Sequence, residues 1–226
     1  MTDDSPNTSE RDGTDAVDRE ELVSRAVDDP EAITPEEMSR IVALVNADDV
    51  DERLRGAEAL QNLYDRPDLF EPHVSTLLQT GAHYPDDVDG IPSPQQVMAS
   101  DELRATVYVA DSLARVAQAR PSVFEPHLDW LEDAVFGDES VPAYYAFIAG
   151  YVYGHTNAVP EERLVAELCS YLDRGRGNGY PSWAADALRV LGDDSALPAL
   201  EAKYPDEPLD DATTDAFDAA IEALEN

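Results

Sequence analysis

The nine residues RPDLFEPHV at positions 66–74 return as RPSVFEPHL at positions 120–128, and this repeat decides the fold class. The two copies start 54 residues apart and share six identical positions, while two of the others exchange apolar residues. The arginine–proline pair is typical of a helix end, and the later proline of a first helical turn. Phe70 and Phe124 are expected to fill the corner between the helices. A repeated unit of this kind predicts stacked helical hairpins rather than one closed core.

Apolar residues recur at helical spacing on either side of each copy and through the second half of the chain. Proline and glycine residues separate these segments, as expected at the ends of helices. A last helix at about 211–224 carries a narrow apolar seam on an acidic surface, which is typical of the terminal cap of a stack. The pattern predicts four hairpins, with helices at 54–64 and 72–81, 103–117 and 126–137, 141–153 and 160–172, and 182–191 and 195–204.

Two segments depart from this pattern. Residues 1–15 are acidic and almost without apolar residues, which predicts a disordered tail before a folded unit at 16–226. Residues 82–99 form an insert rich in Pro, Asp and Gly, without which the two copies would lie 36 residues apart, close to a helical-hairpin period. Such a long loop is either functional, for example as a gate over a binding surface, or simply disordered.

The charge of the chain is unusual in kind as well as in size. It carries 29 Asp and 20 Glu against 14 Arg, for a net charge of −34, and Lys203 is its single lysine. A surface with abundant Asp and almost no Lys suits a cytosol of molar salt, where the Debye length falls to about 3 Å and repulsion between exposed carboxylates is screened. We therefore expect a cytoplasmic protein of an extreme halophile. An acidic protein of an ordinary cell would not explain the scarcity of Lys.

Composition also disfavours several partners. Fifteen cations, each outnumbered locally by acids, do not supply the basic stripe that nucleic acids or anionic membranes require. The longest uncharged run, at 140–160, contains prolines, glycines, His155 and Asn157, so a buried central helix is a better interpretation than a membrane span. The acidic N-terminus is not expected to be a signal peptide. Cys169 lies alone in an apolar helical pattern and is expected to be a small buried hydrophobe.

Two groups of residues are candidates for partner binding. Tyr144, Tyr151 and His155 share one face of a helix that carries five aromatic residues, and Tyr is enriched at interaction hot spots. The alternative is a wide core helix. Arg174, Arg176 and Tyr180 form the single local basic region, in a segment with three glycines. An anion or acidic-peptide contact is one interpretation of it, and a helix C-terminal cap followed by a turn is the other.

No catalytic, cofactor or metal site is expected. His73 and His127 occupy matching positions in successive repeats, about one repeat apart, which is too far for both to bind one ion. The segment at 87–90 resembles the middle of a calcium loop, but Pro85 and Gln96 occupy the positions where that loop requires acids. Nucleophile–base pairs and phosphate-binding loops are absent from the sequence, and 49 acids guarantee chance pairs of carboxylates.

The segment WAADALRVLGDDSALPAL at 183–200 resembles a HEAT repeat of the short type shared with phycobilisome lyase-like proteins. Its alanines let paired helices approach closely, Leu188 and Leu191 are placed to face the core, and Gly192 makes the turn. Looser matches extend over about 35–204. The resemblance implies an all-α fold, a right-handed α-solenoid of HEAT-like antiparallel helical hairpins, whose usual role is to offer a concave surface to another protein.

The leading functional hypothesis is a non-catalytic scaffold or adaptor that docks another protein. The alternative is a HEAT-type enzyme, since the resemblance includes lyase-like and DNA-repair glycosylase-like members. A glycosylase would need a basic groove, which the charge disfavours. A lyase would need a chromophore partner that nothing in the sequence indicates.

Overall fold

The computed structural model describes residues 9–82, 84–85, 88, 91–137, 142–156, 162–174, 179–204 and 211–225, with side chains from Asp18 onward. These residues form helices and turns, and no β-strand occurs among them. The expectation of an all-α protein is thus confirmed. The helices are α1 (Ser9–Asp28), α2 (Pro35–Val45), α3 (Val50–Leu60), α4 (Pro67–Phe70), α5 (Val74–Thr80), α6 (Pro94–Ala99), α7 (Asp101–Ala119), α8 (Leu128–Phe136), α9 (Tyr144–Thr156), α10 (Glu162–Ser170), α11 (Tyr180–Leu191), α12 (Leu197–Lys203) and α13 (Asp211–Glu225).

The repeated phrase forms a compact corner in both copies. Phe70 and Phe124 are fully buried there, as the sequence predicts. The second proline of each copy lies in a 3-10 turn, Glu71–His73 or Glu125–His127. The next helix therefore begins two residues later than expected, after the histidine. A 3-10 turn at a helix start is a common way to tighten the entry of the chain.

The long helices α3 and α7 lie side by side in the same direction. Arg53 on α3 bonds Glu102 on α7, and Gln61, which directly follows α3, bonds Asp111 further along α7. The two pairs are separated by 49 and 50 residues in sequence. A step along α3 is therefore matched by an equal step in the same direction along α7.

The same rule holds farther along the chain. Gln118 on α7 bonds Asp186 on α11, and Arg115 on α7 lies over the ring of Trp183 on α11. Both pairs are 68 residues apart, so α7 and α11 also run in the same direction. α9 packs against both of these helices.

Helix α9 is buried on every side. Each residue from Tyr144 to Tyr153 is buried, and α7, α8, α10 and α11 all pack against it. The sequence prediction of a buried central helix in the uncharged run is confirmed. Within the described part of the chain, no helix is both long and apolar enough to cross a membrane.

Shorter helices cover the long ones. α5 packs on α7, α8 packs on α9, and α10 packs on both α9 and α11. At the end of the chain, α13 packs on α11 and α12, close to the bounds predicted for a terminal helix. The turn that ends α11 is also as predicted, with Gly192 in the left-handed conformation at φ 70°.

Two segments differ from the sequence predictions. α1 begins at Ser9, inside the stretch expected to be a disordered tail, and residues 1–8 lie outside the described residues. The insert at 82–99 contains α6, whose N-terminus is closed by a capping box between Ser93 and Gln96. α6 packs on α7, and Tyr84 from the same insert is buried. The described part of the insert is thus attached to the helices beside it.

Candidate functional site

Arg115 forms the centre of a cluster in which three helices meet. Its guanidinium carbon lies 5.1 Å from the ring centre of Tyr64, which follows α3, and 5.7 Å from that of Trp183 on α11. Arg115 itself belongs to α7, and its side chain is 40% exposed. An arginine that lies over two aromatic rings is held in place by cation–π attraction to both of them. We call Tyr64, Asp111, Arg115 and Trp183 the Arg115 cluster.

Asp111 fixes the orientation of the guanidinium. Nε of Arg115 donates to Oδ2 of Asp111 over 2.9 Å, and Nε2 of Gln61 lies 3.4 Å from the same oxygen. The Asp111 side chain is only 10% exposed. Burial of Arg115 works to lower its pKa, but the hydrogen bond and charge of Asp111 outweigh burial, so the pKa of Arg115 is raised. The guanidinium of Arg115 therefore stays charged at the surface, with Asp111 as its counter-ion.

A second carboxylate lies beside this cluster on α11. Oδ2 of Asp186 accepts hydrogen bonds from the Tyr151 hydroxyl over 2.9 Å and from Nε2 of Gln118 over 2.7 Å. Oδ1 accepts from Nε and Nη2 of Arg189, over 3.0 and 2.6 Å. Asp186 thus joins α7, α9 and α11 and holds the surface around Trp183 rigid.

Three of the residues predicted from sequence to bind a partner are buried. Tyr144 is 5% exposed, and Tyr151 and Tyr180 are each 1% exposed. Their rings pack into the core, with Tyr144 edge-on to both Tyr180 and Trp183. The core interpretation therefore describes Tyr144 and Tyr151, because both α7 and α11 cover α9. Tyr180 is buried at the first position of α11. The rings of Tyr144 and Tyr151 pack edge-on against Trp183 of the Arg115 cluster and do not reach the surface themselves.

The other predicted residues lie apart from this cluster or outside the described residues. His155 is exposed near the end of α9, with Nε2 3.3 Å from Oε1 of Glu125. Arg174 is exposed after α10, where its charge acts on Tyr171. Arg176 lies outside the described residues. Among the six predicted residues, the structure brings together Tyr144 and Tyr180, whose ring centres are 5.4 Å apart.

The sequence contains a signal for the cluster that helical spacing alone does not reveal. The pattern Ala-Asp-x-Leu occurs at 110–113 on α7 and again at 185–188 on α11. In both places an arginine follows and bonds the aspartate of the pattern, Arg115 to Asp111 and Arg189 to Asp186. An aspartate–arginine pair that recurs with the same pattern on two helices indicates that both helices present this pair on one surface.

Tyr84 extends the aromatic core toward the insert. Its hydroxyl is buried beside that of Tyr180, without a hydrogen bond of acceptable geometry in the described part of the chain. Burial first, and then the neighbouring Tyr180, raises the pKa of Tyr84. The insert is thus anchored by an aromatic ring rather than by polar contacts at this point.

No three His, Cys, Asp or Glu side chains within the described residues come together to hold a metal ion. His73 contacts Oγ of Ser39 over 3.4 Å, and its pKa is lowered by burial. Cys169 is half-buried, and burial, followed by the charge of Asp193, raises the pKa of its thiol. A raised pKa makes a thiol a poorer nucleophile at neutral pH.

Comparison with protein-family models, with curated proteins and with solved structures gave no match to this chain.

Proposed function

We propose that this protein is a non-catalytic α-solenoid scaffold that binds another protein through the surface around Arg115. The solenoid is supported by the parallel courses of α3, α7 and α11 and by the shorter helices that pack on them. Right-handed stacking of HEAT-like hairpins would give this order. In such arrays each unit contacts mainly its neighbours, and the rows of helices form extended binding surfaces.

The observation that carries the proposal is the position of Arg115 between Tyr64 and Trp183. Tyr, Trp and Arg are the residue types most enriched at hot spots of protein interfaces. Here all three come from different helical units and remain partly exposed, although burial of each ring would be favourable on its own. Asp111 holds the arginine in place, so little side-chain entropy is lost on binding.

The proposed setting is the cytoplasm of an extreme halophile. The net charge of −34 and the single lysine support it, because molar salt screens the repulsion among exposed carboxylates. The same charge disfavours nucleic acid as the partner.

Affinity capture at molar KCl tests the proposal. The wild-type protein and the Arg115→Gln variant would be used to capture partners from an extract of the native cell. Arg163→Gln is the matched control, because Arg163 on α10 also lies over an aromatic ring, that of Phe136 at 4.4 Å, but outside the Arg115 cluster. We expect a partner that wild type and Arg163→Gln retain and Arg115→Gln loses, with equal thermal unfolding of all three. Equal retention by all three would rule out this surface.

A further inference from the structure

We infer that Arg115 is a subsite for a carboxylate carried by the partner protein. This inference rests on the proposed function in one respect, the assignment of the carboxylate to a protein segment. The subsite consists of the terminal nitrogens of the guanidinium, with the rings of Tyr64 and Trp183 as its walls.

The hydrogen bonds of Arg115 leave its outer edge available. Nε is bonded to Asp111, whereas Nη1 and Nη2 have no hydrogen-bond partner within the described part of the chain. Arg189 provides the contrast, since it uses both Nε and Nη2 on Oδ1 of Asp186. Arg115 is thus held by one edge and can offer two parallel N–H donors with the other. A carboxylate matches this planar fork with two hydrogen bonds.

The neighbouring charges favour a monoanion. Asp111 already offsets the charge of Arg115, and the hydrogen-bonded Asp186 lies close to the cluster. A phosphate dianion would therefore meet roughly twice the repulsion from these carboxylates that a single carboxylate meets, and it would cost more to desolvate. At molar salt the Debye length is about 3 Å, which screens the net charge of the chain but leaves a hydrogen-bonded contact intact. The rings of Tyr64 and Trp183 replace water over part of the guanidinium, which strengthens its contacts. A single carboxylate of a protein segment therefore fits this site better than a phosphorylated one.

The chain contains a convenient reporter for this subsite. Trp130 and Trp183 are its two tryptophans, and Trp130 packs against Tyr145, away from the guanidinium. In the Trp130→Phe variant, fluorescence comes from Trp183 alone, beside Arg115. The probes are three short peptides at constant molar KCl: a blocked alanine peptide with one central glutamate, an alanine peptide with a free C-terminal carboxylate, and a blocked peptide with glutamine in place of the glutamate. Inorganic phosphate is the fourth probe.

We expect saturable changes with one or both carboxylate peptides and none with the glutamine peptide. The first two peptides distinguish a side-chain carboxylate from a chain terminus. Arg115→Lys keeps the charge but loses the fork, so its affinity should fall by roughly tenfold, the equivalent of one charge-assisted hydrogen bond. Arg163→Gln should bind like the parent protein. Equal response to the glutamine peptide, equal affinity of Arg115→Lys, or tighter binding of phosphate would overturn the assignment.

A second measurement covers the case in which Trp130→Phe does not fold. The side-chain N–H signals of Arg115 in the wild-type protein can be followed by NMR during the same titrations, and they should shift with the carboxylate peptides alone.

Failure of the subsite proposal and failure of the proposed function give different results. Loss of carboxylate binding with capture that still depends on Arg115 would refute the subsite and leave the docking surface. Carboxylate binding with capture independent of Arg115 would refute the proposed function and leave the subsite.

Discussion

Tyr151 on the buried helix α9 donates a hydrogen bond over 2.9 Å to Asp186 on α11. The same carboxylate also accepts from Gln118 on α7 and from Arg189 on its own helix. A tyrosine in the core is thereby linked to the surface that surrounds Trp183. Its role in this structure is to hold that surface in shape.

Tyr151→Phe removes the hydroxyl and leaves Asp186 with one donor fewer. Because a hydrogen bond to a charged group contributes about 1.5–3 kcal/mol, the free energy of unfolding should fall by a similar amount. Denaturant unfolding at molar KCl measures this. Unchanged stability would contradict the inference that this hydroxyl holds the surface around Trp183 in place.

Local features of this chain were predictable because neighbouring residues determine them. Thr34 and Glu37 are residue types typical of a capping box, and they form one at the start of α2. Gly192 makes the expected turn in the left-handed conformation. In both cases the required residue types lie within one helical turn of each other. The buried corner at Phe70 and Phe124 belongs to the same class, since the repeat displays it twice.

The candidate site was not predictable in the same way. Helical spacing correctly places Tyr144 and Tyr151 on one helix, but it does not tell whether another helix covers their face. Other helices cover α9 on every side, so its tyrosines are buried. Arg115 on α7 is partly exposed instead. That residue meets Tyr64 and Trp183 from units far apart in sequence, and only the packing of three helices brings them together.

Gly154→Ala should weaken the packing of α9 on α11. A Cβ atom at this position would lie 2.6 Å from the carbonyl carbon of Val190 and would overlap its oxygen, and backbone cannot move aside as a side chain can. Overpacking of this kind costs about 1–3 kcal/mol. Gly150→Ala is the control, because its Cβ would meet the side chains of Ala187 and Leu168 at 3.2 Å. If Gly150→Ala proves as destabilising as Gly154→Ala, the two helices do not approach most closely at Val190.

Removal of salt should destabilise the fold. With a net charge of −34, repulsion between carboxylates grows as the Debye length increases from about 3 Å at 1 M to about 30 Å at 0.01 M. A loss of about 3 kcal/mol would lower the melting temperature by roughly 10 °C in a chain of this size. Circular dichroism melts in KCl and NaCl measure this, and screening predicts equal effects of the two salts. A melting temperature independent of salt would contradict the halophilic interpretation.

Tyr84→Phe should raise the free energy of unfolding by about 1 kcal/mol, because its buried hydroxyl lies beside that of Tyr180 without forming a well-aligned hydrogen bond among the described residues. Tyr145→Phe provides the opposite case. The Tyr145 hydroxyl donates to the carbonyl oxygen of Leu78 over 3.0 Å in the core, so its loss should lower stability by a similar amount. Urea unfolding of both variants gives the comparison. A loss of stability in Tyr84→Phe would mean that its hydroxyl is bonded.

Alkaline pH should unfold the protein cooperatively through its buried tyrosines. Burial is the main cause that raises the pKa of each of five phenols, Tyr84, Tyr144, Tyr145, Tyr151 and Tyr171. The unfolded chain releases these protons near pH 10, whereas the folded chain retains them at higher pH. Above that pH the unfolded state binds fewer protons than the folded state, so stability is fully present below about pH 10 and decreases as the pH rises further. Tyrosinate absorbance and circular dichroism, recorded together at molar KCl, should therefore change in one step for these residues. Gradual ionisation with the helical signal intact would show that the phenols are accessible to water in the folded state.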